Sequence, residues 1–315
     1  MTSTYHYKEQ IVVRYLFLLL FVITSNAAIA AFSIKQVAQG IYVHQGPIEL
    51  PDVRNHDAIA NIGFIVGKKC VAVIDSGGNP AQGRLLKSTI QKITATPICY
   101  VINTHVHPDH IFGNSAFQDI ANIKFIGHEK LSRAMAARGA FYIARSMEQI
   151  AVNLTEKDII PPSILVKDFL KLDLGGRVLE LKAYPTAHTD NDLTVFDKKT
   201  NTLWMSDLLF VGHLPVLDGS LKGWLNVIAE LEKQSFDVVI PGHGPIDRDW
   251  PKSVQAEKHY LQKLATNVRA KIKQGKYLED VLQDDDSIFK AQWQLFNEFH
   301  KKNLSSAFAE LEWED

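Results

Sequence analysis

Three histidines and one aspartate fall within the last six residues of NTHVHPDH (residues 103–110), directly after the apolar run ICYVI. That run has the length and composition of a buried strand. In extended backbone, His105 and His107 point to the same side. Pro108 then turns the chain, so Asp109 and His110 can approach the same point from another direction. Four ligand-type side chains crowded at a strand end are poorly satisfied without a cation and useful with one. The chain must therefore build a sheet edge at which further ligands can gather.

Three such residues stand in similar settings. His188 follows LKAYPTA, Asp207 follows TLWMS and His243 follows FDVVIPG. Each is expected just beyond a β-run, so all can meet the first cluster at one edge of the sheets. Together the seven residues are five histidines and two aspartates, enough for two metals.

The remaining pattern supplies sheets and helices in alternation. VAVID is a short buried-strand run, ended by SGGNP. Residues 82–93 have helical spacing, with Leu85, Leu86, Ile90 and Ile93 expected on one face. Strand, helix, strand in this order implies a right-handed parallel crossover. IKFIG is another strand, and residues 128–138 and 141–152 read as two helices. Residues 169–174 and 177–184 read as a hairpin around Gly175-Gly176, and LTVFD with TLWMSD as a second. Residues 221–233 are amphipathic and helical, FDVVI is a strand, and the chain from Trp250 on is mostly helical. No repeat or linker interrupts this pattern, so one α/β (α+β) domain of stacked layers is expected.

Composition sets the compartment and narrows the partners. Formal net charge is −1 over 315 residues, which gives no argument for nucleic acid. Lys8 and Arg14 precede the apolar run YLFLLLFVIT, and Ala28 and Ala30 follow it. These are the parts of a secretory signal peptide, and the run is short for a membrane span. Residues 1–30 are therefore read as a cleaved leader and 31–315 as the mature domain, exported to a periplasm. No second hydrophobic span follows. Cys70 and Cys99 precede strand ends at similar spacing, and export permits a bridge between them; a disulfide and two buried thiols both remain open.

The pattern H-x-H-x-D-H with later His, Asp and His resembles the metallo-β-lactamase superfamily from about residue 34 onward. The resemblance implies a four-layer αβ/βα sandwich with the site at one edge. It implies that His105, His107 and His188 hold one metal, that Asp109, His110 and His243 hold the second, and that Asp207 bridges them. A carboxylate at Asp207 resembles glyoxalase II and related hydrolases, whereas metallo-β-lactamases usually place Cys or Ser there. IANIGFIVG, VAVIDSGG, VINTHVHPDHIFGN, AHTDNDLTVF, DGSLKGWL, PGHGP and AELEWE together resemble the quinoprotein relay system zinc metallohydrolases. That likeness implies a periplasmic quinoprotein as partner.

Two metals about 3.5–4 Å apart can share a hydroxide and polarise a substrate oxygen. The expected function is a dinuclear Zn2+ hydrolase of an ester, thioester or related small molecule, with iron or manganese left open as the metal. Asp109 is the expected catalytic carboxylate. The alternatives are β-lactam hydrolysis and a non-catalytic, metal-holding accessory role in quinoprotein maturation. Asp75, at the end of the neighbouring strand, is the expected partner of His105 or His107, because a ligating histidine donates its other N–H to a fixed acceptor. Asp190 is a further candidate for that role. His213, Arg54 and His56 are candidates for contact with the substrate.

Overall fold

The computed structural model describes residues 32–283 and 290–314; the expected leader, residues 1–30, lies outside the described residues. From Phe32 on the chain forms one unit. The first half builds a seven-stranded sheet in sequence order: β1 (Lys35–Ala38), β2 (Ile41–His44), β3 (Ile62–Val66), β4 (Val71–Ile74), β5 (Ile98–Ile102), β6 (Lys124–His128) and β7 (Ile164–Val166). β1 to β4 pair antiparallel and β4 to β7 parallel. The second sheet has the order β12-β11-β10-β9-β8, from β8 (Phe169–Asp173), β9 (Val178–Ala183), β10 (Leu193–Asp197), β11 (Thr202–Phe210) and β12 (Val238–His243). Both expected hairpins form, as β8–β9 and β10–β11. β12 adds to β11 in parallel.

Among the described residues, the α-helices are α1 (Pro80–Ile93), α2 (Pro108–Ile111), α3 (Leu131–Ile150), α4 (Leu221–Leu231), α5 (Gln255–Lys273), α6 (Leu278–Val281) and α7 (Phe296–Leu311). Apolar side chains from both sheets meet in one core, Ile74 and Ile102 from the first with Val195 and Ile240 from the second. The outer face of the first sheet packs on Leu86 and Ile90 of α1. The outer face of the second packs on α4, α5 and α7, with Trp224 and Tyr260 buried. This is the expected αβ/βα sandwich. Each fully buried large side chain in these layers contributes about 1.5–3 kcal/mol of transfer free energy.

Three local expectations need correction. In α1 the Asn79 side chain accepts from Gln82 N at 2.9 Å and starts the helix at Pro80. Its buried stripe is Leu86 and Ile90 with Gln82 and Gly83; Leu85 and Ile93 are exposed, so the apolar spacing overstated the inward face. The two helices expected around residue 140 are one, α3. Gly139 does not break it but lets it approach Ile159, whose side chain a β-carbon at Gly139 would overlap. Asp207 and His243 lie within β11 and β12, not beyond them, because both strands run further than their apolar cores.

Cys70 and Cys99 form a disulfide, with Cα atoms 5.6 Å apart. It joins the starts of the parallel neighbours β4 and β5, at the end away from NTHVHPDH. No described helix is long and apolar enough to cross a membrane.

Candidate metal centre

The site forms where the two sheets present their strand ends. His105 and His107 follow β5, and Pro108 opens α2, which carries Asp109 and His110 back toward β4. His188 sits in the loop after β9. Asp192 holds that loop by accepting from Thr189 N and from Thr189 Oγ1 at 2.6 Å. Ser206 adopts φ +51, and the β11–β12 register shifts there. Such a bulge re-aims the residue that follows it, here Asp207. His243 is the last residue of β12.

All seven residues converge. Ligand atoms of His105, His107, His188 and Asp207 lie within 4.8 Å of one another, and so do those of Asp109, His110 and His243. Asp207 connects the two groups. Its Oδ2 is 3.4 Å from His188 Nε2, 3.7 Å from His105 Nε2 and 3.5 Å from His243 Nε2. Its Oδ1 is 3.1 Å from His110 Nε2. Asp109 Oδ2 lies 3.3 Å from His243 Nε2.

Four of the five rings are fixed by an acceptor on the nitrogen that faces away from the centre. His110 Nδ1 donates to Asp75 Oδ2 at 2.8 Å, His188 Nδ1 to Val216 O at 2.7 Å and His107 Nε2 to Asp218 Oδ2 at 2.9 Å. His105 Nδ1 hydrogen-bonds Thr104 Oγ1 at 3.1 Å. His243 stacks on Phe210, with ring centroids 5.2 Å apart. The inward nitrogens then face one another across the space a cation would take, those of His107 and His188 3.1 Å apart. His105 Nε2 is buried without a hydrogen-bond partner among the described residues, a costly state for a polar atom. The donor set and this orphaned nitrogen fit divalent metal.

Electrostatics divides the cluster in two. Burial pushes His105 well below the usual imidazole range and His188 down to about 3, so both are neutral, as ligands must be. Burial opposes the charge on Asp207, but His110, His243 and His105 outweigh it and hold the carboxyl well below its ordinary value. Burial likewise opposes charge on His243, which Asp207 and Asp109 nevertheless raise to about 9.

The supporting residues are partly where the sequence put them. Asp75 is a partner of a site histidine, but of His110 rather than His105 or His107. The turn at Pro108 folds His110 back over the end of β4, while Asp75 Oδ1 accepts from Thr104 N at 2.8 Å. Asp190 reaches no site histidine; it pairs with Arg133 at 2.9 Å. Arg54 is exposed and pairs with Asp52 at 2.6 Å. His56 donates to Ile150 O at 2.7 Å and ties its loop to α3. Neither Arg54 nor His56 lines the cavity, because left-handed backbone at His56 and Asp57 turns Asp57 inward in their place. His213 does line it, its ring 5.3 Å from that of His243. Asp218 was missed: it is 111 residues from His107 in sequence, and no local pattern in VLDGS marks it. Arg138 of α3 also bonds Asp218.

A cavity of about 390 Å³ opens over the site. Asp109, Asp207 and His243 form its buried end, and α3 and α7 contribute walls.

The family model of the metallo-beta-lactamase superfamily matches residues 57–243, more than half of the chain. The chain belongs to that superfamily of hydrolases. A linear primary-alkylsulfatase from Pseudomonas sp. (strain ATCC 19151) is 22% identical over 207 residues, 55% of this chain. The chain spans only 39% of the length of that relative. Among solved structures, a metallo-beta-lactamase from Pontibacter korlensis superposes with a TM-score of 0.59 at 19% identity, over 73% of this chain and 98% of the other. One from Erythrobacter litoralis gives 0.56 at 16% identity, over 74% and 97%. At these identities the likeness is one of fold.

Proposed function

We propose that this protein is an exported dinuclear zinc hydrolase of a small ester or thioester. The observation that carries the reading is the position of Asp207, one carboxylate within 3.1–3.7 Å of four histidines drawn from both ligand groups. That is where a bridge between two cations belongs. His105, His107 and His188 would hold one ion and Asp109, His110 and His243 the other, with Asp207 shared. Two zinc ions there would supply a water acidified to a pKa of about 7 and a positive charge for the substrate's carbonyl oxygen.

The chain's own residues do the rest. Asp109 faces the cavity and accepts a hydrogen bond from the attacking water, aiming its lone pair at the acyl carbon. Asp75 and Asp218 hold the rings of His110 and His107 in their ligating orientation. Phe112 and Phe210 exclude bulk water from the wall. Water adds across the acyl C–O or C–S bond, releasing a carboxylic acid and an alcohol or thiol. The disulfide supports an oxidising compartment, in agreement with the leader. The likeness of sequence motifs to the quinoprotein relay group makes a periplasmic quinoprotein the proposed partner system.

The test is metal analysis of the mature form, followed by turnover of esters, thioesters, lactones, β-lactams and alkyl sulfates. Two zinc ions per chain and preferential ester or thioester turnover are expected. Asp207→Ala is expected to lose at least one ion and about 100-fold or more in rate. Full metal and full rate in that variant would sink the bridging assignment. High turnover of a chromogenic cephalosporin would move the activity to β-lactams. Bound metal without any turnover, together with a stable quinoprotein complex, would leave the accessory role.

A further inference from the structure

The cavity over the site is buried and acidic at its inner end and cationic at its mouth. Asp109, Asp207 and His243 are buried, whereas Arg145 of α3 and Lys302 of α7 line the same cavity and are exposed. Each cation lies over an aromatic ring of its own helix. Arg145 Cζ is 5.3 Å from the ring centroid of Phe141, and Lys302 Nζ is 5.3 Å from that of Phe299. Phe141 and Phe299 line the cavity too. Of four such pairs among the described residues, two belong to this one cavity. A cation resting on a ring face is held in place while its N–H donors stay available.

No carboxylate among the described residues forms an ion pair with either cation. The acidic side chain at the mouth is Glu49, and its Oε2 accepts from the Asn55 amide at 3.2 Å instead. Two cations therefore face one carboxylate at the entrance. Phe112, Ile150 and Leu154 give the cavity an apolar lining beside these charges. A volume of about 390 Å³ suits a small molecule rather than a polymer segment.

We infer that the substrate is a small amphiphilic anion, with its anionic group bound by Arg145 and Lys302, its apolar body along the wall and its scissile acyl group at the metal centre. This rests on the hydrolase reading and narrows it to one substrate class. The anionic group, whether carboxylate, sulfate or phosphonate, is remote from the bond that breaks.

A matched pair of esters tests it on the metal-loaded protein: the 4-nitrophenyl monoester of adipic acid, and the same ester with its far carboxyl methylated. The acid is expected to have a kcat/KM about tenfold higher or more, mostly through KM, the size of one charge-assisted hydrogen bond. In the double variant Arg145→Gln with Lys302→Gln, the ratio is expected to fall to about one with bound metal per chain unchanged. Equal kcat/KM for the two esters, or a preference that survives in the double variant, would overturn the anion site while leaving the hydrolase reading intact. If neither ester turns over, ester hydrolysis fails, and calorimetry with 6-phenylhexanoate and 6-phenylhexanamide decides the site. Acid-selective binding that vanishes in the double variant upholds it; no selectivity, or selectivity that survives, overturns it.

Discussion

Asp75 shows what one carboxylate can organise. It accepts from Thr104 N and Thr104 Oγ1 and from His110 Nδ1, all at 2.8 Å, and so locks the end of β5 to a site histidine. Asp75→Ala is expected to weaken metal binding about 10- to 100-fold, measured by competition with a chromogenic chelator. Asp218 carries the same relation to His107, and Asp218→Ala should behave alike. Glu257 offers a separate check on burial. It is wholly buried; Oε1 accepts from Phe210 N at 3.2 Å, and Oε2 has no hydrogen-bond partner among the described residues. Burial raises its carboxyl well above the ordinary 4.5, despite the Phe210 N–H. The folded state thus keeps a proton that the unfolded state releases, so stability is full below about 4.5 and falls as pH rises above it. Relative to Glu257→Gln, the wild type should lose about 1.4 kcal/mol per pH unit until the folded carboxyl ionises. Melting curves from pH 5 to 8 would show this as a widening gap; a constant gap would refute it. At this scale the seven cluster residues were legible, because ligand-type side chains beside apolar runs are a local signal. Asp218 was not, because its partners His107 and Arg138 stand far from it in the sequence.

Elements decide whether those residues can meet. β11 and β12 lie in parallel, and Gly242 faces Asp207 so closely that a β-carbon there would overlap Asp207 Oδ1 and press on its backbone nitrogen at 2.8 Å. Gly242→Ala should displace the carboxylate and cost metal affinity about 10- to 100-fold with the sheets still folded, read by metal content and circular dichroism. The PGHGP stretch was expected as a strand end. What it supplies is strand plus the room that lets two strands bring His243 and Asp207 together. Helix α3 has a similar double use. Gly139 seats it against Ile159, Arg138 reaches Asp218, and Phe141 and Arg145 enter the cavity wall. Its spacing predicted two helices, since glycine is a poor interior helix residue and the tertiary contact that favours it there is invisible in the sequence.

Across the whole molecule, the sandwich brings the ends of strands from both sheets to one edge and leaves the disulfide at the starts of β4 and β5. The Cys70–Cys99 pair closes a separation of 29 residues. Replacing both by serine should lower unfolding free energy by about 3 kcal/mol, measured by denaturant titration. Because the bridge stands away from the His/Asp cluster, bound metal at 25 °C should be unchanged. The sequence by itself determined the α/β layering, the strand–helix–strand crossover and the inventory of His and Asp side chains that gather at the site. Those depend on periodicity and on residue type, which act over a few neighbours. Only the tertiary structure decided that Cys70 and Cys99 pair, that Asp75 serves His110, that Asp218 serves His107, and that Arg145 and Lys302 share one cavity mouth. Each of those joins residues far apart in the chain, and their distances are set by how two sheets and their helices pack, which no local pattern encodes.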